Sequence, residues 1–256
     1  MTRSSLTEEQ IAEFEQKGFL IIKSYYNTEE VTRLQQTTFN DESLYDRAWD
    51  KKDAQGAVSK VCLWQQTSDD FYSMFSRGRR LVDVCETLIG EEVYHTSTKI
   101  MMKEPFVGGA WEWHQDFGYW HRDNYMLYPK CISCMIAINQ ATQENGCLQV
   151  LEGSHHLGRL DHNKTGDQKG AAIEFVEQAM QYHSLVNVEL APGDVLFFHC
   201  NLLHKSNQNR SSAPRWSMIS AYNAVSNQPF KENEAVYYPL TPVDDDAILN
   251  WQQSSL

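Results

Sequence analysis

The chain is short of positive charge. Its 256 residues carry 22 Lys and Arg against 34 Asp and Glu, a formal net charge of -12 at pH 7. The densest basic groups are Lys51-Lys52 and Arg77-Gly-Arg79-Arg80. A nucleic-acid binder needs a basic footprint to meet the phosphate backbone, so nucleic acid is excluded as a partner, and so is an anionic membrane surface. No apolar run approaches the length needed to cross a bilayer. The start, Met1-Thr-Arg-Ser-Ser-Leu-Thr7, lacks the apolar core of a secretory leader, which predicts a cytoplasmic protein. The six cysteines (62, 85, 131, 134, 147 and 200) show no disulfide-framework spacing, consistent with a reducing compartment. Cys131-Ile-Ser-Cys134 has no second pair, and on a strand its two thiols face opposite sides, so neither zinc nor redox chemistry is expected there. Walker loops, dinucleotide-binding glycine patterns and Gly-x-Ser-x-Gly elbows are all missing.

What is present reads as helices in front and strands behind. Thr7 and Gln10 form a capping-box pattern before Ile11 and Phe14, with Gly18 placed to end the helix. Phe19–Ile22 reads as a strand, and Asn27 opens a second helix containing Val31 and Leu34. Residues 40–58 are polar and read as a surface loop, while apolar spacing from Phe71 to Leu88 predicts one helix ending at Gly90. Beyond residue 92, short apolar runs alternate with turn signals: 93–101, 132–138, 147–151, 186–190, 195–198 and 216–222. Asn145-Gly146 predicts a hairpin because both residues tolerate positive φ, and Pro192-Gly-Asp194 predicts a turn. Such a series of short strands predicts a jelly-roll barrel, making the chain mainly β (α+β) with N-terminal helices packed outside. One domain over 1–256 is expected, with a helical flank and first strand at 1–90 and a barrel core at 91–225. Residues 155–185 read as an irregular lid loop.

The chemistry begins at Trp111-Glu-Trp-His114-Gln-Asp116. On a strand, residues two apart face the same side, so His114 and Asp116 would converge on one metal. His204, beyond the turn at Pro192 and the strand 195–198, would supply a third ligand from across the barrel. Two imidazoles and one carboxylate on one face leave coordination positions open, the arrangement of non-haem Fe(II) oxygenases. A His-x-Asp pair alone is common by chance. Arg215, eleven residues after His204 at the start of a strand, adds specificity, because a guanidinium there would grip a carboxylate with two parallel hydrogen bonds.

The segment 103–222 resembles the phytanoyl-CoA dioxygenase family. The matching pieces are Lys103-Glu-Pro-Phe-Val-Gly-Gly, His114-Gln-Asp116, Ala141-Thr-Gln-Glu-Asn-Gly146, Gly153-Ser-His155, Pro192-Gly-Asp194, His204-Lys-Ser206 and Arg215, with Glu13-Phe-Glu-Gln-Lys-Gly18-Phe-Leu-Ile-Ile similar to the family's opening. The resemblance implies a double-stranded β-helix, Fe(II) on His114, Asp116 and His204, and 2-oxoglutarate as cosubstrate with O2. It implies that Arg215 and Ser206 hold the 2-oxoglutarate carboxylate, and it places Lys60, Lys99 and Met135 near the cosubstrate. Lys99 and Met135 depart from the Met and Trp that members commonly have at those positions. A carboxylate at 116, where related halogenases have a small residue, implies hydroxylation or another oxygenation, with release of succinate and CO2.

Outside the triad, His199 is expected in the core and His155 and His156 in a turn. His121, Arg159, His162 and Asn163, in polar segments beside the ligand strand and in the lid, suggest contacts to a small polar substrate, such as an amino acid-like compound or an aminoalkylphosphonate. Two other readings compete: a jelly-roll metalloenzyme with the same triad that does not use 2-oxoglutarate, and a non-catalytic barrel that only binds.

Overall fold

The computed structural model describes residues 6–165, 167–231 and 239–252. The front of the chain forms α1 (Glu8–Lys17), β1 (Phe19–Ile22), α2 (Thr28–Asn40), α3 (Glu42–Arg47), β2 (Trp49–Lys52), β3 (Val58–Trp64), α4 (Phe71–Ser76) and α5 (Arg79–Ile89). Then come β4 (Val93–Lys103), β5 (Trp111–His114), α6 (Asp116–Asp123), β6 (Cys131–Ala137) and β7 (Leu148–Leu151). The rest comprises β8 (His162–Thr165), β9 (Gln168–Ala171), α7 (Ile173–Tyr182), β10 (Leu185–Val188), β11 (Val195–His199), β12 (His204–Ser206), β13 (Arg215–Ala224) and α8 (Ala247–Asn250).

The local signals at the front are realised. Thr7 accepts from the Gln10 backbone while the Gln10 side chain accepts from the Thr7 N–H, and Asn27 with Glu30 repeats the device on α2. Each reciprocal cap satisfies two N–H groups that helix geometry leaves unpaired.

A seven-stranded sheet runs β1-β11-β6-β13-β4-β3-β2, and a four-stranded sheet runs β10-β7-β12-β5. Their inner faces meet through Met135, Leu148, Val150, Leu196 and Phe198. The outer face of the large sheet carries Cys134, Ile136, Phe197 and Met218 against Phe14, Leu34, Phe75 and Leu81 of the helices. That is why β6 is apolar at every position but Ser133: both its faces are covered, and all seven residues are buried. Burying each larger apolar side chain contributes about 1.5–3 kcal/mol.

Four expectations change. Residues 40–58 are not a loop: α3 and the β2–β3 hairpin occupy most of them. Trp49–Lys52 is a largely exposed edge strand, so it lacks the apolar alternation that announces a strand. Its turn is closed by Asp53, whose Oδ1 accepts from the N–H groups of Gln55 and Ala57. The helix expected over 71–88 is two helices, broken at Arg77-Gly78 so that the backbone there pairs with Val243. Asn145-Gly146 does not close a hairpin, since β6 belongs to the large sheet and β7 to the small one; the turn carries the chain between sheets. Residues 155–185 are not irregular either. They form the β8–β9 ribbon and α7, which together with a 3-10 turn at Ser154–Leu157 account for most of the segment.

All six cysteines are buried and free. Cys131 bonds to Asn223 while Cys134 faces Cys85, so the thiols of the Cys-x-x-Cys do lie on opposite faces.

Two histidines outside the site, buried His95 and half-buried His199, set an acid limit on stability. Burial holds His95 down at about 4, and burial with the fields of His155 and His156 holds His199 at about 4. In the unfolded chain these rings protonate near pH 6.5. Between about pH 6.5 and 4 the unfolded state therefore binds more protons, and stability falls as pH falls through that window. Urea unfolding at pH 7.5 and pH 5 should show a loss on the order of 2 kcal/mol per histidine. His199→Gln should flatten the slope, and a pH-independent midpoint would contradict this.

Candidate active site

The site is built where β5 meets β12. The two strands pair antiparallel with His204 opposite His114, which puts both rings on one face with centroids 4.1 Å apart. Asp116 arrives differently from the expectation. It is not on the strand with His114 but is the first residue of α6. The chain turns at Gln115, and that turn, rather than strand alternation, brings the carboxylate back.

Gln115 holds the turn from every side. Its backbone N–H donates to His162 Nε2 at 2.9 Å, its amide donates to the carbonyls of Gly158 and Asn201, and its Oε1 accepts from Leu160 N. The ring of His162 lies so close to Gly118 that a Cβ there would approach it to 2.1 Å. Only glycine fits at that position.

Asp116 Oδ1 lies 3.9 Å from both His114 Nε2 and His204 Nε2. Among the described residues this is the one cluster of three such groups whose ligand atoms converge. Each imidazole is oriented from behind, with Nδ1 on a backbone carbonyl: Glu112 O at 2.7 Å for His114 and Leu202 O at 2.9 Å for His204. That assigns the proton to Nδ1 and leaves the Nε2 lone pairs facing each other. Burial holds both imidazoles below their ordinary range, His204's field adding to the effect on His114, so both are neutral ligands at neutral pH. Burial pushes the Asp116 carboxyl up, but the fields of His204, Lys99 and His114 and a hydrogen bond from Ser133 Oγ (2.7 Å) outweigh it and keep it ionised.

Arg215 opens β13 and is buried. Its Nε and Nη2 donate to the Gly146 carbonyl (3.1 and 2.8 Å) and Nη1 donates to Ser217 Oγ (3.3 Å). Burial lowers its pKa to about 10, so it stays a cation. Among the described residues no acid lies within ion-pair distance of it. Gly146 adopts φ 79°, and a Cβ there would meet Asn207 O at 2.3 Å, so this glycine both turns the chain and presents its carbonyl to Arg215. Lys103, Arg215's cross-strand neighbour, is also buried and donates to Asn207 O. Burial and the field of Arg215 hold its pKa far below the usual amine range.

Lys99, Met135, Ser206 and Arg215 line the same cleft as His114, Asp116 and His204. Lys99 and Met135 both neighbour Ile219 across the large sheet. Lys60 does not join them. It is in register with Met102, whose side chain packs under the helices, and its amine pairs with Asp50 at 2.7 Å. The strand's alternation turns it to the wrong face.

The four residues suggested as substrate contacts are also elsewhere. His121 Nδ1 bonds to Met126 O, Arg159 pairs with Asp161, and Asn163 is exposed on the ribbon. His162 has both ring nitrogens engaged, on Gln115 N and Leu160 O, and is a support. Sequence reasoning missed Met101, Trp111, Leu148, Phe198 and Ile219, which complete the cleft lining. As single apolar residues in strands they carry no signal beyond a buried face.

The family profile for phytanoyl-CoA dioxygenase (PhyH) matches residues 14–217. The chain belongs to the phytanoyl-CoA dioxygenase family. It is 27% identical over 237 residues to the ectoine dioxygenase of Sphingopyxis alaskensis, covering 87% of this chain and 78% of that protein. It is 30% identical over 201 residues to the L-proline trans-4-hydroxylase of Streptomyces griseoviridis, covering 70% and 75%. The crystal structure of EctD from S. alaskensis with bound Fe matches with a TM-score of 0.78 at 25% identity, over 93% of this chain and 88% of that one. The fold is thus the family's double-stranded β-helix, and the protein is a non-haem iron, 2-oxoglutarate-dependent hydroxylase.

The residues fit the groups such an enzyme uses. Three donor atoms, two neutral and one anionic, face a common point, and metal–ligand bonds of roughly 2.1 Å reach between atoms about 4 Å apart. For the cosubstrate, the fit is the buried Arg215, which has no acid beside it among the described residues. An unpaired buried charge is costly and is retained where an anion joins it.

Proposed function

We propose that this enzyme hydroxylates a small, amino-acid-like metabolite, with iron held by His114, Asp116 and His204 and the distal carboxylate of 2-oxoglutarate held by Arg215 and Ser206. The single observation that carries the cosubstrate assignment is Arg215: a fully buried guanidinium, without an acid among the described residues, opening into the cleft that contains the three ligands. With both bound, the centre couples decarboxylation of 2-oxoglutarate to succinate and CO2 with insertion of one oxygen atom of O2 into a C–H bond of the substrate.

The chain's own residues position and shield. Arg215 is presented by Gly146 and Ser217, and Ser206 follows His204 by two residues on β12, so it faces the cleft with it. Met135, Leu148, Phe198 and Ile219 make the walls apolar and keep bulk water from the reacting centre. Ser133 and the two backbone carbonyls hold the ligands in one orientation.

The substrate class is supported by the relatives, whose names specify ectoine and L-proline. In the sequence both the amino acid-like and the aminoalkylphosphonate readings rested on His121, Arg159, His162 and Asn163, and only the first is supported by the relatives as well. These four residues lie outside the cleft, so the aminoalkylphosphonate reading loses its support. The buried Arg215 also disfavours a triad enzyme that does not use 2-oxoglutarate, since such an enzyme has no use for an unpaired cation there.

The test is a panel of small amino and imino acids with Fe(II), 2-oxoglutarate and O2, followed by succinate release and O2 uptake. At least one member should raise both together. Rates that stay at the substrate-free level across the panel would overturn the substrate class.

A further inference from the structure

Two polar groups in the cleft remain without a role once the triad, Arg215 and Ser206 are assigned. The indole N–H of Trp111 is buried and has no hydrogen-bond partner among the described residues. Trp111 lies on β5 three residues before His114, with the two rings 6.2 Å apart, and it lines the cleft. Lys99 lines it from the other side, on β4 of the large sheet. Among the described residues its amine makes no hydrogen bond or ion pair, although its charge is felt at His114, Asp116 and His204. The cleft that holds the triad is thus lined by Lys99 from the large sheet and by Trp111 from the small one.

Both groups are donors in a cleft whose lining is half apolar, with Met101, Met135, Leu148, Phe198 and Ile219 beside the polar groups already assigned. A buried N–H without an acceptor costs about 1–3 kcal/mol, and an ammonium in such surroundings needs an anion more than it needs a neutral partner. The acceptors in the cleft do not serve. Asp116 already receives Ser133 and faces the metal position, and Ser206 is neutral. The chemical complement of one ammonium plus one indole N–H is a carboxylate, which offers two oxygens to two donors.

We propose that Lys99 and the Trp111 indole N–H form a second carboxylate seat, which holds the acid group of the primary substrate and so sets which of its C–H bonds faces the metal. The seat rests on the reading that the substrate is amino-acid-like, and it narrows that class to compounds with a free carboxylate. It also gives Lys99 a role different from the cosubstrate contact that the family resemblance implied. Both residues are positioning groups; neither takes part in bond making.

The experiment is isothermal titration calorimetry on the full chain loaded anaerobically with Fe(II) and 2-oxoglutarate. The probes are L-proline, L-pipecolate and ectoine, each against its carboxamide, with wild type, Lys99→Met and Trp111→Phe compared. At least one acid should bind wild type, its carboxamide should bind about 10- to 100-fold more weakly, and each variant should lose a similar factor for the acid but not for the carboxamide. The affinity for 2-oxoglutarate, measured separately, should stay within about twofold in both variants. Circular dichroism checks that the variants fold, and Lys99→Arg should restore part of the lost affinity. Acids and carboxamides binding alike, variants that retain acid affinity, or no acid binding to wild type would each overturn the seat. A large loss of 2-oxoglutarate affinity in Lys99→Met would overturn it in favour of a cosubstrate contact. Failure of the amino-acid-like reading is separable: there, wild type would bind neither the acids nor their carboxamides while still binding 2-oxoglutarate with Fe(II).

Discussion

Arg215→Gln is expected to weaken 2-oxoglutarate binding by about 100-fold or more while leaving the melting temperature within a few degrees of wild type. Two charge-assisted hydrogen bonds to the distal carboxylate, at about 1.5–3 kcal/mol each, supply a factor of at least that size. The stability terms oppose one another. Removing a buried, unpaired cation relieves a desolvation cost, while the Gly146 carbonyl, which receives both Nε and Nη2, would lose its donors. Glutamine keeps one donor within reach of it, and so the net change is small. Pyruvate provides the control, since it has the keto acid but no distal carboxylate, and it should bind wild type and variant alike. Calorimetric titration of both keto acids under anaerobic Fe(II) measures the difference. Equal 2-oxoglutarate affinity in the two proteins would remove the assignment of Arg215.

The second large effect is at Asp116. Asp116→Ala is expected to lower Fe(II) affinity at least 100-fold and reduce turnover below detection, because the remaining ligands are two neutral imidazoles with no anion to offset the metal's charge. Wild type at a free Fe(II) concentration about 100 times the dissociation constant should gain about 2.7 kcal/mol of stability, visible as a shift in melting temperature. The variant should show no shift at the same concentration. Ser133→Ala gives the graded case: it leaves the carboxylate in place but removes the 2.7 Å bond that orients it, and loss of such a support typically costs 10- to 100-fold in metal affinity. An unchanged metal-induced shift in Asp116→Ala would show that iron is held elsewhere.

The features that read correctly from sequence are those whose causes lie within a few residues. Thr7 with Gln10 and Asn27 with Glu30 cap their helices because partner and donor are three positions apart. The apolar run 132–138 became β6 because packing on both faces demands it. The failures share a different cause. Asn145-Gly146 marks a turn correctly, but no turn residue records whether its flanking strands pair with each other, and here they lie in different sheets. Lys60 was placed by likeness of position, yet its face is set by register with Met102. His162 looked like a polar contact in a loop and instead buttresses Gln115, a role that exists only because the β8–β9 ribbon folds over α6.

By itself the sequence determined the chemistry available to this protein: two imidazoles, a carboxylate and a guanidinium whose spacing, with the family resemblance, predicted a metal and a dicarboxylate site, on a chain whose periodicities predicted a barrel. Tertiary structure alone decided how these groups meet. Asp116 reaches the metal position from a helix start because Gln115 is pinned by groups from 158 to 201, and Arg215 is left without an acid among the described residues because its partners are the Gly146 carbonyl of a turn and the Ser217 hydroxyl of its own strand. The same is true of Lys99 and Trp111, which are 12 residues apart in the chain and come to flank one site only because they lie on opposing sheets. Local chemistry is written residue by residue, whereas convergence depends on sheet pairing and packing between segments far apart in the chain.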